Sequence, residues 1–327
     1  MGCIASPCWR NTLSTDLKYE RTADGDLATR VAHLVIGLIP MKDGTLRTLT
    51  CYPARDPSTC SRSDFHASGF AANDEDGFRS EVEDFAEHER QKAALGRERI
   101  DRAMLRGFRT PWETPDDGYV YAAGIASVST PSHGGFILTA EMNERIDERW
   151  RAPADGYAGQ ADDVLDPEWR RRGNVMTGFA FYEEDQQWAI IAITFPELFT
   201  DRERRFADRT LRNDYPDIWE SVTGGTATVL NSSGRRISEF QRLNADRWIV
   251  TCAVKDGNDP ERIVASAYVG GRDERGHTKG RVRHYSLDGR DYDRRLRMSG
   301  VYQCVIDEDV DPRVDRDGMP IASSRAA

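Results

Sequence analysis

No apolar run in this chain is long enough to form a structure by itself. The longest, VAHLVIGLIPM at 31–41, has eleven residues and already contains His33 and Pro40. A membrane-crossing helix needs about 20 apolar residues, so this stretch reads as a buried strand or strand-turn. The core must therefore be assembled from short strands and one-sided helices. Seven Trp, eleven Tyr and twelve Phe among 327 residues supply side chains large enough to fill it. That length is enough for two domains, or for one with a substantial extension. The expected class is α+β: a mixed central domain with helices, followed by a β-rich antiparallel C-terminal lobe.

Turn residues punctuate the chain into five parts. Residues 1–24 are polar and irregular. Residues 25–107 combine a hairpin around KDGT (42–45) with a long acidic helix. In that helix Phe78, Val82, Phe85, Leu95, Ile100 and Met104 recur near helical spacing from 77 to 105, behind the capping acids Asp74 to Asp76. Eight acids against two arginines between 71 and 90 leave a net −6 patch, which reads either as a solvated face or as a partner surface.

The Pro- and Gly-rich FRTPWETPDDG (108–118) marks a boundary. A central α+β domain runs from 108 to 215, with a helix expected at 139–150, capped by Thr139. A buried helix is expected within EEDQQWAIIAITF (183–195), and a further helix at 202–213. From 216 to 307 the runs GTATVL, DRWIVTCAV, RIVASAYVG, RVRHYSL and VYQCVID read as an antiparallel sheet. Residues 308–327 have the composition of a disordered tail.

Charge and cysteine usage narrow the function. A net charge of −10 argues against nucleic acid as a general partner, although residues 261–300 carry ten Lys/Arg against six Asp/Glu. Six cysteines without a Cys-x-x-Cys read as reduced thiols. No metal or cofactor motif is present, so none is expected. The start lacks a secretory pattern, so a cytoplasmic location is expected. MGCIAS fits acylation at Gly2 and Cys3, which would place the protein on a host membrane if it were delivered into a eukaryotic cell.

Two motifs carry chemistry. In STPSHGGF (129–136), His133 sits between a Pro-Ser turn and two glycines that permit close approach of another group. Histidine is the side chain best suited to proton transfer near neutral pH. Ser132 is its direct neighbour, so in an extended chain the two side chains point apart and cannot form a nucleophile–base pair. In YEED (182–185), Glu183, Glu184 and Asp185 could orient or ionise His133, or could simply start the next helix. The catalytic candidates are thus His133, Glu183, Glu184 and Asp185. Ser132, Gly134, Gly135, Tyr182 and Trp188 are the binding candidates.

FRTPW, STPSHGGFILTAEMN, FYEEDQQWAIIAITFPELF and DRWIVTCAV resemble an uncharacterised proteobacterial group carried on plasmids, integrative elements and phages. That group is known only as a domain of unknown function. In it the YEED run is often followed by cysteine, where this chain has Gln186. The resemblance implies a mobile-element accessory protein, acting on an unknown protein partner in transfer, maintenance or counter-defence. The alternatives are a hydrolase or transferase built on His133 and the YEED acids, and a lipid-anchored effector. Oligomeric state is not legible in the sequence.

Overall fold

The computed structural model describes residues 17–67, 69–156, 165, 178–272, 276–278 and 280–321. The chain forms two compact units, 1–208 and 209–327. Three antiparallel sheets and eight helices among the described residues make the class α+β.

The first unit begins with a four-stranded meander: β1 (Tyr19–Arg21), β2 (Leu27–Val31), β3 (Leu34–Pro40) and β4 (Leu46–Cys51). The KDGT turn joins β3 to β4 as the sequence predicts. The Asp43 carboxylate accepts from Thr45 N at 3.0 Å, and Gly44 takes φ +80°. Both faces of this sheet are covered. On one, Leu27, Val31, Ile36 and Leu38 pack with Phe78 and Val82 of the acidic helix α1 (Glu75–Leu95). On the other, Ala28, Val35 and Ile39 pack with Cys51, Cys60 and Phe65.

Helix α1 starts where expected, with Asp74 accepting from Gly77 N at 2.8 Å. It ends ten residues earlier than the apolar spacing suggests, because Gly96 turns left-handed (φ +60°) and breaks the hydrogen-bond ladder. Ile100 and Met104 fit the helical period but belong elsewhere. Ile100 is a core residue of the second sheet, and Met104 lies in α2 (Arg102–Leu105).

The second sheet runs in chain order: β5 (Glu98–Arg99), β6 (Asp117–Ala122), β7 (Ile125–Ser129), β8 (Gly134–Thr139) and β9 (Phe179–Glu183). One face carries Ala126, Val128, Ile137 and Phe179 into a core with Ile100, Leu105 and Phe108. Thr139 caps a helix as predicted, but α3 covers only Ala140–Glu144. The buried run after YEED is α4 (Trp188–Thr194), and α5 (Asp201–Asp214) follows. The expected boundary at 108 falls inside this first unit. The division of the chain lies within α5 instead.

The second unit is less purely β than its sequence suggests. It holds α6 (Pro216–Thr223), α7 (Ser233–Leu243) and α8 (Gly289–Ser299) beside a sheet of β10 (Trp248–Lys255), β11 (Arg262–Val269), β12 (Arg283–Asp288) and β13 (Arg313–Val314). GTATVL forms no strand, and VYQCVID contributes only the bridge between Val305 and Ile249. As far as Ile321 the expected disordered tail is ordered. β13 pairs with His284 and Tyr285, and buried Asp311 takes Arg295 at 2.6 Å. Among the described residues no helix is long and apolar enough to cross a membrane. Gly2 and Cys3 lie outside the described residues.

Candidate functional site

The histidine motif is a four-residue hairpin loop between Ser129 and Gly134, which pair across β7 and β8. Thr130 closes it. Its backbone N–H and its hydroxyl both donate to the His133 carbonyl at 2.7 Å, and the hydroxyl oxygen accepts from His133 N at 3.1 Å. The ring of His133 and the side chain of Ser132 face solvent. Among the described residues no hydrogen bond or ion pair links His133 to Glu183, Glu184 or Asp185.

The glycines answer to packing. A Cβ on Gly135 would meet the Tyr182 carbonyl oxygen at 2.1 Å and the Trp112 ring at 2.4 Å. A Cβ on Gly134 would meet a Glu184 carboxylate oxygen and the Val128 carbonyl oxygen, both at 2.6 Å.

The YEED residues divide in the same way. Glu183 caps the turn into α4: one carboxylate oxygen accepts from Asp185 N at 2.7 Å, the other from Gln186 N at 2.7 Å and Gln187 N at 3.1 Å. Asp185 points to solvent. Tyr182 is fully buried; its hydroxyl donates to Asn143 Oδ1 at 2.6 Å and accepts from Ala152 N at 2.9 Å. Burial pushes its phenol up to about 12. Trp188 is half-buried at the start of α4. Glu184 lines a cleft of about 230 Å³ that it shares with Asp117, Tyr119, Ser127, Ser129 and Phe136.

A larger cavity opens elsewhere in the same unit, and no motif pointed to it. It measures about 500 Å³ and is lined by Glu89, Lys92, Arg97, Tyr119, Tyr121 and Glu203. Three elements meet here because side chains lock them. Thr200 and Glu203 form a reciprocal cap on α5: Thr200 N donates to the Glu203 carboxylate at 2.8 Å, and Glu203 N to the Thr200 hydroxyl at 3.2 Å. Gln91 of α1 binds Asp201 twice, through its carboxylate and its N–H, both at 2.7 Å. Asp84 holds Arg202 at 2.6 Å and also pairs with Arg205.

Arg97, the residue after the helix-stopping Gly96, organises the cavity. Its side chain is 8 % exposed and forks onto Glu203 at 2.7 and 2.9 Å, with a third bond to the Leu198 carbonyl at 2.9 Å. The guanidinium lies 4.1 Å from the centroid of the Tyr121 ring. Its Nε is buried without a hydrogen-bond partner. Tyr121 in turn packs against Phe136 and Phe199, with centroids at 5.0 and 5.3 Å.

Three titratable groups are perturbed here, as buried polar sites require. Burial raises the Tyr121 phenol. Burial also lowers His88, whose Nδ1 meets the Thr200 hydroxyl at 2.8 Å, against the pull of Glu203 and Glu89. Glu203 is drawn upward by burial, but bonds from Arg97 and Thr200 outweigh it and hold its carboxyl below the ordinary value. Arg97 and Glu203 cancel, and Lys92 has no carboxylate partner among the described residues.

Comparison with known proteins gives a family without an activity. Residues 106–245 match a family described as a domain of unknown function (DUF7007). The matched segment supplies Tyr119, Tyr121 and Glu203 to the cavity. Glu89, Lys92 and Arg97 precede it. No curated protein and no solved structure matches the chain.

Proposed function

We propose that the first unit is a binding module for a small aromatic ligand that carries an acidic group. The observation behind this reading is the cavity of about 500 Å³ in which two tyrosines stand beside an arginine held in place by Glu203. Ligand sites of this size pair aromatic walls with a few fixed polar groups. Tyr119 and Tyr121 supply the faces for a ring. Lys92, which forms no ion pair among the described residues, supplies the positive charge for the acid and Glu89 is the other charge of the lining, while Arg97 is held by Glu203 and serves as a strut.

The test is a titration of the purified protein with 4-hydroxybenzoate, benzylamine and phenol, followed by heteronuclear NMR. The carboxylate should bind best and shift the amides around Lys92, Arg97 and Tyr119. Lys92→Met should weaken it by about tenfold, roughly 1.4 kcal/mol. Equal response to all three compounds, or shifts elsewhere, would sink the reading.

A second reading keeps the mobile-element accessory role with a protein partner, supported by the net charge of −10 and by the resemblance. The acids of α1 support it less than their number suggests. Glu75 pairs with Arg79, Glu87 with Arg90, and Asp84 with Arg202 and Arg205, while Glu81 binds the N–H groups of Ala71 and Ala72. The hydrolase or transferase reading draws only on Glu184 lining the smaller cleft. A His133→Ala protein that folds normally but loses activity in cells would revive it.

A further inference from the structure

The open face of the third sheet carries a second, independent site. In the second unit, strand pairing places Cys252 opposite Ser266 and Ser266 opposite His284. These three side chains therefore form one row on one face, alternating with Val250, Ala265, Ala267 and Tyr285, which pack into the core on the other. The row floors a cleft of about 380 Å³, walled by Thr251, Tyr268, Arg272, Thr278 and Arg316.

Among the described residues, no acid compensates the charge in this cleft. Several arginines elsewhere in the unit are held by acids, Arg283 by Glu308 at 2.7 Å, Arg295 by Asp311 at 2.6 Å, and Arg235 by Asp217 and Glu220, while Arg262 is bound by the Ser286 hydroxyl and carbonyl. Arg272 instead is fixed by carbonyls, of Gly276 at 2.8 Å and Thr251 at 3.4 Å, which orient the guanidinium without neutralising it. Arg316 makes no hydrogen bond or ion pair among the described residues, and no carboxylate is among the described lining residues. The neighbouring Asp315 carboxylate is occupied by the N–H groups of Asp317 and Met319. The lining thus presents two guanidiniums, the hydroxyls of Ser266, Thr251 and Thr278, and His284. The Nδ1 of His284 meets Ser266 at 3.0 Å, and its other ring nitrogen has no hydrogen-bond partner among the described residues.

We propose that this cleft binds a phosphate group borne by a small ligand. Two guanidiniums with hydroxyl and imidazole donors match the acceptor-only surface and double charge of a phosphate monoester. A serine–histidine contact in isolation is common on sheet faces. Its placement between two arginines without acids is what selects an oxyanion.

Cys252 gives a direct readout, because it is exposed on the cleft floor while Cys51, Cys60 and Cys304 are buried. In a Cys3→Ser/Cys8→Ser protein, alkylation of Cys252 by iodoacetamide is followed by peptide mass spectrometry with inorganic phosphate, AMP, or chloride of equal ionic strength. Phosphate and AMP should slow labelling with a saturable dependence, and chloride should not. AMP acting at lower concentration would assign the phosphate to a nucleotide-like carrier; equal potency would assign it to the phosphate group alone. Arg316→Met, on the surface and outside the core, should raise the half-protecting concentration by about tenfold, the scale of one charge-assisted bond. Protection no better than chloride, or protection undiminished in both Arg316→Met and Arg272→Met, would overturn the proposal.

Discussion

The second and third sheets solve one problem in opposite ways. Each packs one face into a core; the opposite face of the second also buries Ile125, Phe136, Leu138 and Tyr182, whereas that of the third carries Cys252, Ser266 and His284 into an open cleft. Around the second sheet the principal charge is neutralised where it stands: Arg97 is clasped by Glu203, and α1 and α5 interlock through Asp84, Gln91, Asp201 and Arg202. On the third, Arg272 and Arg316 pair with no acid among the described residues. A paired charge in a dry place sets geometry, whereas an unpaired one at the surface is available to a ligand. Counting charges along the sequence cannot separate the two, since both regions read as runs of Arg, Asp and Glu.

Stability measurements sharpen that contrast. The largest effect should come from Arg97→Met, which strands the half-buried Glu203 carboxylate; urea denaturation should show a loss of about 3 kcal/mol. A loss under about 1 kcal/mol would mean that the Arg97–Glu203 pair does not organise the first unit. Next comes Gly135→Ala, where the added methyl meets the Tyr182 carbonyl and the Trp112 ring. It should cost roughly 1–3 kcal/mol, with Trp112 fluorescence reporting the displaced ring.

The pH dependence is smaller and has a definite sign. Burial lowers the pKa of His88 in the fold, so the unfolded chain takes up the proton more readily. Its contribution is complete above the ordinary value of 6.5 and is lost as pH falls below it through the folded value. His88→Gln should flatten that part of the stability–pH curve. Glu203, also depressed, removes its share only below the ordinary carboxylate range. The smallest changes should be at the surface: His133→Ala and Arg316→Met should each leave unfolding free energy within about 0.5 kcal/mol of the parent. A large loss at Arg316 would mean that it too is structural, and the contrast between the sheets would fail.

Local chemistry made part of this legible. The KDGT hairpin, the Asp74 and Thr139 caps and the buried helix after YEED all stand where turn and cap residues place them. Boundaries went wrong where period and punctuation disagreed. Ile100 and Met104 keep the helical spacing of α1, but Gly96 ends it. In the C-terminal lobe, SGRRISEFQRL forms α7 although β-like runs flank it.

In the two motifs that drew attention, most of the described contacts are to backbone. Thr130 closes a loop, Glu183 caps a helix, and Gly135 makes room for Trp112. The larger cavity left one local trace, the Thr-x-x-Glu of Thr200 and Glu203, a capping box. Its key residue, Arg97, left none. Its burial depends on contacts to residues 101 and 106 positions away.

The glycine that ends α1 has a further consequence. Arg97 follows Gly96 directly, so the length of the helix acts as a gauge that sets the bearing of the guanidinium. One residue inserted between Gln91 and Gly96 would turn everything beyond it by about 100° while Gln91 stayed fastened to Asp201. Arg97 would then swing off Glu203, and the cavity would lose its strut with no side chain altered. Over that short span the chain tolerates changes of letter far better than changes of count.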